Sequence, residues 1–281
     1  MSYGPNPWQQ TNWDWRAAGN FIGGGAGGGL IVFAALSGAQ GTALAALLLG
    51  GMALVGMGLS CVWLELGRPL RALHVFLNRR TSWMTREAFV ATLLMPVTLA
   101  AALGLPGFEW LAAALALTFI YCQSRMLQAA KGIPAWREPL LVPLLVVTGL
   151  TEGGGLWLLA QSAHAADQPA ALALVGTLVL ARVGVWLAYR KRLAARAATR
   201  ALAALDAVGR WLLLAGSVAP LIVLALVASG LIGGVLAAAL LVVAGLLAAA
   251  CGSWLKFTLI MRAGFNQGFA LVHLPVRGVR R

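Results

Sequence analysis

The sequence predicts an all-α integral membrane protein, a bundle of about eight transmembrane helices. The first observation is the composition, because 60% of the 281 residues are hydrophobic and only 10% are charged. A soluble domain carries about 25% charged residues, which help to cover its water-facing surface. The second observation is that apolar runs recur along the chain at the length, about 20 residues, that crosses a ~30 Å hydrocarbon layer.

Eight apolar runs are long enough to be membrane spans. They lie at about 17–38, 42–66, 87–104, 109–129, 139–161, 170–190, 208–229 and 231–261. We therefore expect residues 1–281 to form a single transmembrane helical domain with short tails at 1–16 and 263–281. The first tail has no basic region followed by an apolar core and a small-residue cleavage site, so the first run is expected to remain as a helix.

The net charge of +13 is distributed unevenly among the predicted loops. Lys and Arg cluster at 67–86, 125–138, 190–210 and the C-terminus, whereas the loops near 39–41, 105–108, 162–169 and 230 contain neither. With eight spans, all basic segments fall on one side together with both termini. The positive-inside rule predicts that this side is cytoplasmic, in a multi-pass protein of the bacterial inner membrane. Basic residues placed between apolar runs argue against nucleic-acid binding.

The first span contains a glycine-rich run at 23–29. No Gly-Lys-Ser/Thr follows it, so it is not a phosphate-binding loop. Small residues in lipid let helix backbones approach closely, and this favours tight helix packing over a groove that faces a cofactor. The glycines at 153–155 in the fifth span have the same interpretation.

Cysteine and histidine are too few and too scattered for most metal cofactors. The three cysteines are isolated within apolar runs, whereas iron–sulfur clusters need closely spaced sets. A transmembrane haem pair needs four histidines, and the chain has only His74, His164 and His273. We therefore expect no haem or iron–sulfur cluster in this chain.

Two groups of ionisable residues are candidate sites. Glu65 and Glu87 lie at helix ends on either side of the first basic loop, and His74 lies between them. Such groups at the membrane edge could bind quinone and move its protons, with Arg68 and Arg86 beside them, or they could simply belong to a solvated loop. Residue composition alone leaves these two interpretations open.

The second group lies within the spans. Glu152 is about 12 residues, or ~18 Å, from the cytoplasmic end of the fifth span. Arg182 is about 8 residues, or ~12 Å, from the cytoplasmic end of the sixth. These depths permit an intramembrane ion pair, which would serve either structure or proton movement.

Several motifs resemble one family of membrane subunits. Glu65-Leu-Gly-Arg-Pro-Leu-Arg-Ala, then Leu77-Asn-Arg and Thr85-Arg-Glu, resembles the DMSO reductase membrane-anchor (DmsC) family and polysulfide-reductase-type anchors. Ile133-Pro-Ala-Trp with Pro139 is similar to that family's link between the fourth and fifth spans. Glu87 matches the family pattern, whereas Glu65 stands where these anchors often have His. A narrower likeness, at 8–16, 256–259 and 264–269, is to anchors of phenylacetyl-CoA:acceptor oxidoreductases.

The resemblance implies a multi-subunit enzyme. Its members dock an iron–sulfur subunit and a molybdopterin catalytic subunit and exchange electrons with quinone, either menaquinone or ubiquinone. The cytoplasmic side is where we expect such partners, since the opposite loops are only a few residues long. A secondary transporter with a midplane Glu152/Arg182 site is the main alternative, although no internal repeat supports it. A structural scaffold without redox function is a third.

Overall fold

The computed structural model describes residues 6–65, 69–78, 80–130 and 132–268. These residues form an all-α bundle in which eight helices are long and apolar enough to span a membrane. The helices are α1 (Trp15–Leu36), α2 (Gly41–Glu65), α3 (Trp83–Ala102), α4 (Phe108–Gln128), α5 (Pro134–Arg137), α6 (Leu141–Ala165), α7 (Pro169–Leu193), α8 (Thr199–Leu213), α9 (Ala219–Ala228) and α10 (Gly234–Met261). A 3₁₀ segment, Pro69–Leu77, precedes α3, and a π-helical turn, Leu214–Val218, joins α8 to α9 so that together they make the seventh span.

Helix α1 lies at the centre of the bundle and packs against α2, α4, α6 and α10. Its glycines make this possible, because a Cβ atom at Gly27 would lie 2.5 Å from the Gly51 carbonyl oxygen of α2. A Cβ at Gly28 would meet Ile120 of α4, and one at Gly29 would overlap the backbone of Gly149 in α6. The run therefore serves close helix packing on three sides, as the sequence predicts.

Two elements begin earlier than the apolar runs indicate. Helix α3 starts at Trp83, where the Ser82 hydroxyl accepts a hydrogen bond from the Thr85 amide, so Glu87 lies within the helix. Helix α8 starts at Thr199, so most of the predicted basic loop 190–210 is helical. Charged residues interrupt the hydrophobic run there, but buried side chains at the helical spacing of Ala201, Leu205 and Val208 hold that face against the bundle.

The bundle end where α1 begins is called the basic end, because the predicted basic segments that the structure describes lie there. Trp8 to Gln10 pairs with the chain after α10: the Gln10 amide donates to the Gly264 carbonyl (2.8 Å) and the Asn266 amide to the Trp8 carbonyl (3.0 Å). Asp14 caps α1 and contacts Arg16 at 2.7 Å, and this partner lowers the pKa of the Asp14 carboxyl. The described parts of the predicted tails, 6–14 and 263–268, thus pack on this end.

Candidate functional site

A cavity of about 590 Å³ opens at the basic end, between α1, α2, α3, α4 and the 3₁₀ segment. This volume lies within the ~300–1,000 Å³ range of small-molecule sites. Its walls are mainly apolar and include Trp13, Phe21, Trp63, Met84 and Met126. The cavity is thus suited to a largely apolar ligand.

Glu87 supplies the ionisable group of this cavity. Its side chain is only 4% exposed, and the Asn20 side-chain amide donates a 3.3 Å hydrogen bond to its Oε1. Gln123 of α4 donates in turn to the Asn20 backbone carbonyl (3.0 Å), and it has room to do so because the facing residue of α1 is Gly24. The carboxylate is therefore held in a fixed position at the cavity wall.

Asn20 also lines the cavity, and its Oδ1 atom is buried with no hydrogen-bond partner among the described residues. Buried polar atoms of this kind are rare in proteins, because an unmade hydrogen bond costs about 1–3 kcal/mol. A ligand hydroxyl in the cavity would supply the missing donor. The polar groups and the apolar walls together suit an apolar ligand that carries a hydroxyl group.

Arg86 and His74, two other residues predicted for this site, do not line the cavity. Arg86 turns its guanidinium onto the Trp83 ring and donates to the Arg80 carbonyl (3.1 Å). His74 is exposed on the 3₁₀ segment, whose next residue, Val75, lines the cavity. Arg68 and the side chain of Glu65 lie outside the described residues.

Glu152 is completely buried, and its ion pair is with Lys256 of α10 rather than with the predicted Arg182. The Lys256 Nζ donates to Glu152 Oε2 (2.5 Å) and to the Phe21 carbonyl of α1 (3.0 Å). Gly25 leaves space for the lysine tip, where a Cβ atom would overlap Nζ. One buried ion pair therefore joins α1, α6 and α10.

Arg182 is also buried, close enough to Glu152 for electrostatic attraction, but it hydrogen bonds to backbone carbonyls. It donates to Ala248 of α10 (2.9 Å) and to Gly216 in the π-helical turn. The residue four positions after Gly216 is Pro220, which has no N–H to offer that carbonyl. Arg182 thus provides the donor that a regular helix would supply.

Sequence reasoning missed Lys256 as well as Asn20 and Gln123. Lys256 is the single charged residue in the predicted span 231–261, so the rule that singled out Glu152 applies to it equally. Asn20 and Gln123 are polar amides within apolar runs, a weaker signal. Their contact joins residues 103 positions apart and could not be read from local sequence.

No protein-family model matches this chain, and no curated protein matches it as a relative. What the fold defines is a class, a multi-pass helical membrane protein with an apolar cavity and a buried carboxylate at one end.

Proposed function

We propose that this chain is the membrane anchor of a molybdopterin and iron–sulfur oxidoreductase, and that it exchanges electrons with quinone in the cavity beside Glu87. One observation carries the proposal: a buried carboxylate and an unpartnered amide oxygen meet in a cavity with aromatic walls at the basic end. Bound quinone supplies the redox chemistry, the uptake or release of two electrons and two protons. The resemblance of the motifs at 65–72, 77–79 and 85–87 supports the same conclusion.

Glu87 and Asn20 have complementary tasks in this proposal. The Glu87 carboxylate takes or returns a proton at the ligand oxygen, and the Asn20 amide keeps it oriented. Asn20 Oδ1 accepts a hydrogen bond from the hydroxyl of the reduced ligand. Trp13 and Trp63 line the cavity and would exclude water from the bound ring.

The partner subunits dock on the basic end, which is the cytoplasmic side in this proposal. A second groove of about 430 Å³ lies there between the paired terminal segments and the start of α5, and it shares Asn12 and Trp13 with the cavity. An iron–sulfur cluster in a subunit bound at this groove would lie near the ligand ring. A ligand at the opposite end would instead be most of a ~30 Å bilayer away.

Substitution of Glu87 in the assembled enzyme tests the proposal. We expect Glu87→Gln to reduce quinone-linked turnover at least tenfold while turnover with a soluble dye stays unchanged, because only the quinone reaction needs this proton carrier. Glu109→Gln is the matched control, since it makes the same change in the first turn of α4 at the opposite end. Full quinone-linked activity in Glu87→Gln would refute the assignment.

Asn20→Leu is a second, separate test of the same site. It removes the unpartnered oxygen, so we expect the KM for quinol to rise more than the kcat falls.

Co-purification of molybdopterin and iron–sulfur subunits with the tagged chain tests the complex itself. A chain that purifies alone and catalyses solute flux dependent on Glu152 would favour the transporter alternative.

A further inference from the structure

Two arginines at the basic end share one aromatic ring. The guanidinium carbon of Arg86 lies 4.3 Å from the centre of the Trp83 ring, and that of Arg125 lies 5.0 Å from it. The edge of Tyr121 packs against the same indole at 5.8 Å between ring centres. Since both cations lie over one ring, they are closer together than a Debye length, ~10 Å at 0.1 M salt.

No carboxylate among the described residues forms an ion pair with either arginine. Arg16 and Arg190, by contrast, contact Asp14 and Asp206 at 2.7 and 2.6 Å. Two neighbouring cations without a carboxylate partner are a suitable place for an anion with acceptor oxygens.

The arginine pair does not line the cavity, and the neighbouring Tyr121 of α4 is 42% exposed. On the arginines' two helices, α3 and α4, deeper in the membrane, Leu93 is 57% exposed and Leu117 is 40% exposed. The two leucines lie seven and eight positions from the arginines, or ~11–12 Å along a helix. An anionic group here would thus sit at headgroup level with apolar side chains beneath it.

We propose that Arg86, Trp83 and Arg125 form a binding site for the phosphate of an anionic phospholipid whose acyl chains lie along Leu93 and Leu117. Guanidinium groups suit phosphate because their planar N–H donors match its oxygens. The exposed apolar surface below the pair favours a lipid over an acidic protein surface. The lipid site does not depend on the quinone proposal. It gives Arg86 a different role from the one predicted for it beside the quinone.

Lipid binding to the purified full-length chain tests this proposal. Delipidated protein in neutral detergent is titrated with phosphatidylglycerol or cardiolipin, and native mass spectrometry measures the bound fraction. We expect Arg86→Gln with Arg125→Gln to weaken phosphatidylglycerol binding at least tenfold, since both phosphate donors are lost. The matched control is Lys191→Gln with Arg200→Gln, which removes two exposed cations elsewhere at the same end and should change binding less than twofold.

Four outcomes would overturn the proposal. Equal binding by wild-type protein and the Arg86/Arg125 variant would place the lipid elsewhere, and equal loss in the control variant would reduce the effect to overall charge. Displacement of the lipid by 10 mM inorganic phosphate would mean that the acyl chains contribute nothing and that the pair is a simple ion site. If Arg86→Gln/Arg125→Gln bound lipid normally but lost the co-purifying subunits, the two arginines would be a contact with a partner protein instead. In the wild-type protein, phosphatidylglycerol but not phosphatidylcholine should raise the thermal midpoint. Loss of that shift in Arg86→Gln/Arg125→Gln but not in the control variant would support the proposal.

Discussion

Removal of Lys256 should be among the most destabilising single changes in the described part of the chain. Lys256→Met is close in size, so it tests charge rather than volume. It leaves the fully buried Glu152 carboxylate without its ammonium partner at 2.5 Å and the Phe21 carbonyl without its donor. Breaking a buried ion pair at one partner costs about 3–5 kcal/mol, because the remaining charge stays desolvated. We expect a loss in that range.

The assay is equilibrium unfolding in mixed micelles of increasing SDS fraction, followed by fluorescence of the 11 tryptophans. A double-mutant cycle with Glu152→Gln separates the pair from the other effects, since the double variant removes both charges and should be less destabilised than the sum of the single variants. Lys191→Met is the control, with an exposed lysine and an expected change within about 0.5 kcal/mol. A loss below about 1 kcal/mol in Lys256→Met, or strict additivity in the cycle, would refute the reasoning.

Three further predictions concern other parts of the fold. Gly153→Val should lower the thermal midpoint in detergent by several degrees, because its side chain would overlap the backbone of α1; Gly50→Ala, which faces only a leucine methyl, is the control. Arg182→Met should cost about 1–3 kcal/mol by leaving the Gly216 carbonyl unpaired, and an unchanged stability would show that water replaces the guanidinium. Reporter fusions at Gly104 and after Arg281 should report opposite sides of the membrane, and the same side would contradict the predicted orientation.

The sequence predicts the spans well because a bilayer of fixed thickness demands long apolar runs, and seven of the eight begin within about four residues of the prediction. Helix α8 deviates by nine residues because Arg200 and Asp206 end the apolar run while the helix continues on its buried face. Hydropathy detects transfer into lipid, but helix formation at the membrane edge depends on packing against neighbours. The basic loop was therefore located correctly as a charged segment but not as a helix.

The candidate site was only partly predictable. Glu87 could be singled out as an ionisable group at a helix end, whereas its partner Asn20 lies in another span, 67 positions away. Arg86, the adjacent residue, points to a different side of α3, because a helix turns by about 100° per residue. The pairing of Glu152 failed for a related reason: depth alone could not distinguish Arg182 from Lys256, since both reach the same level from different helices.

The central position of α1 constrains how the protein can assemble. Gly29 is synthesised about 120 residues before Gly153, the glycine against which it packs, a delay of about 6–24 s at ~5–20 residues per second. During that time α1 can pair with α2, but the side that later meets α6 and α10 has only lipid beside it. Glycine gives a helix little intrinsic stability, and Arg16 and Asp14 hold only its first turn. The helix around which the bundle is organised is therefore synthesised before all four of its neighbours, and α10 is the last of them to appear.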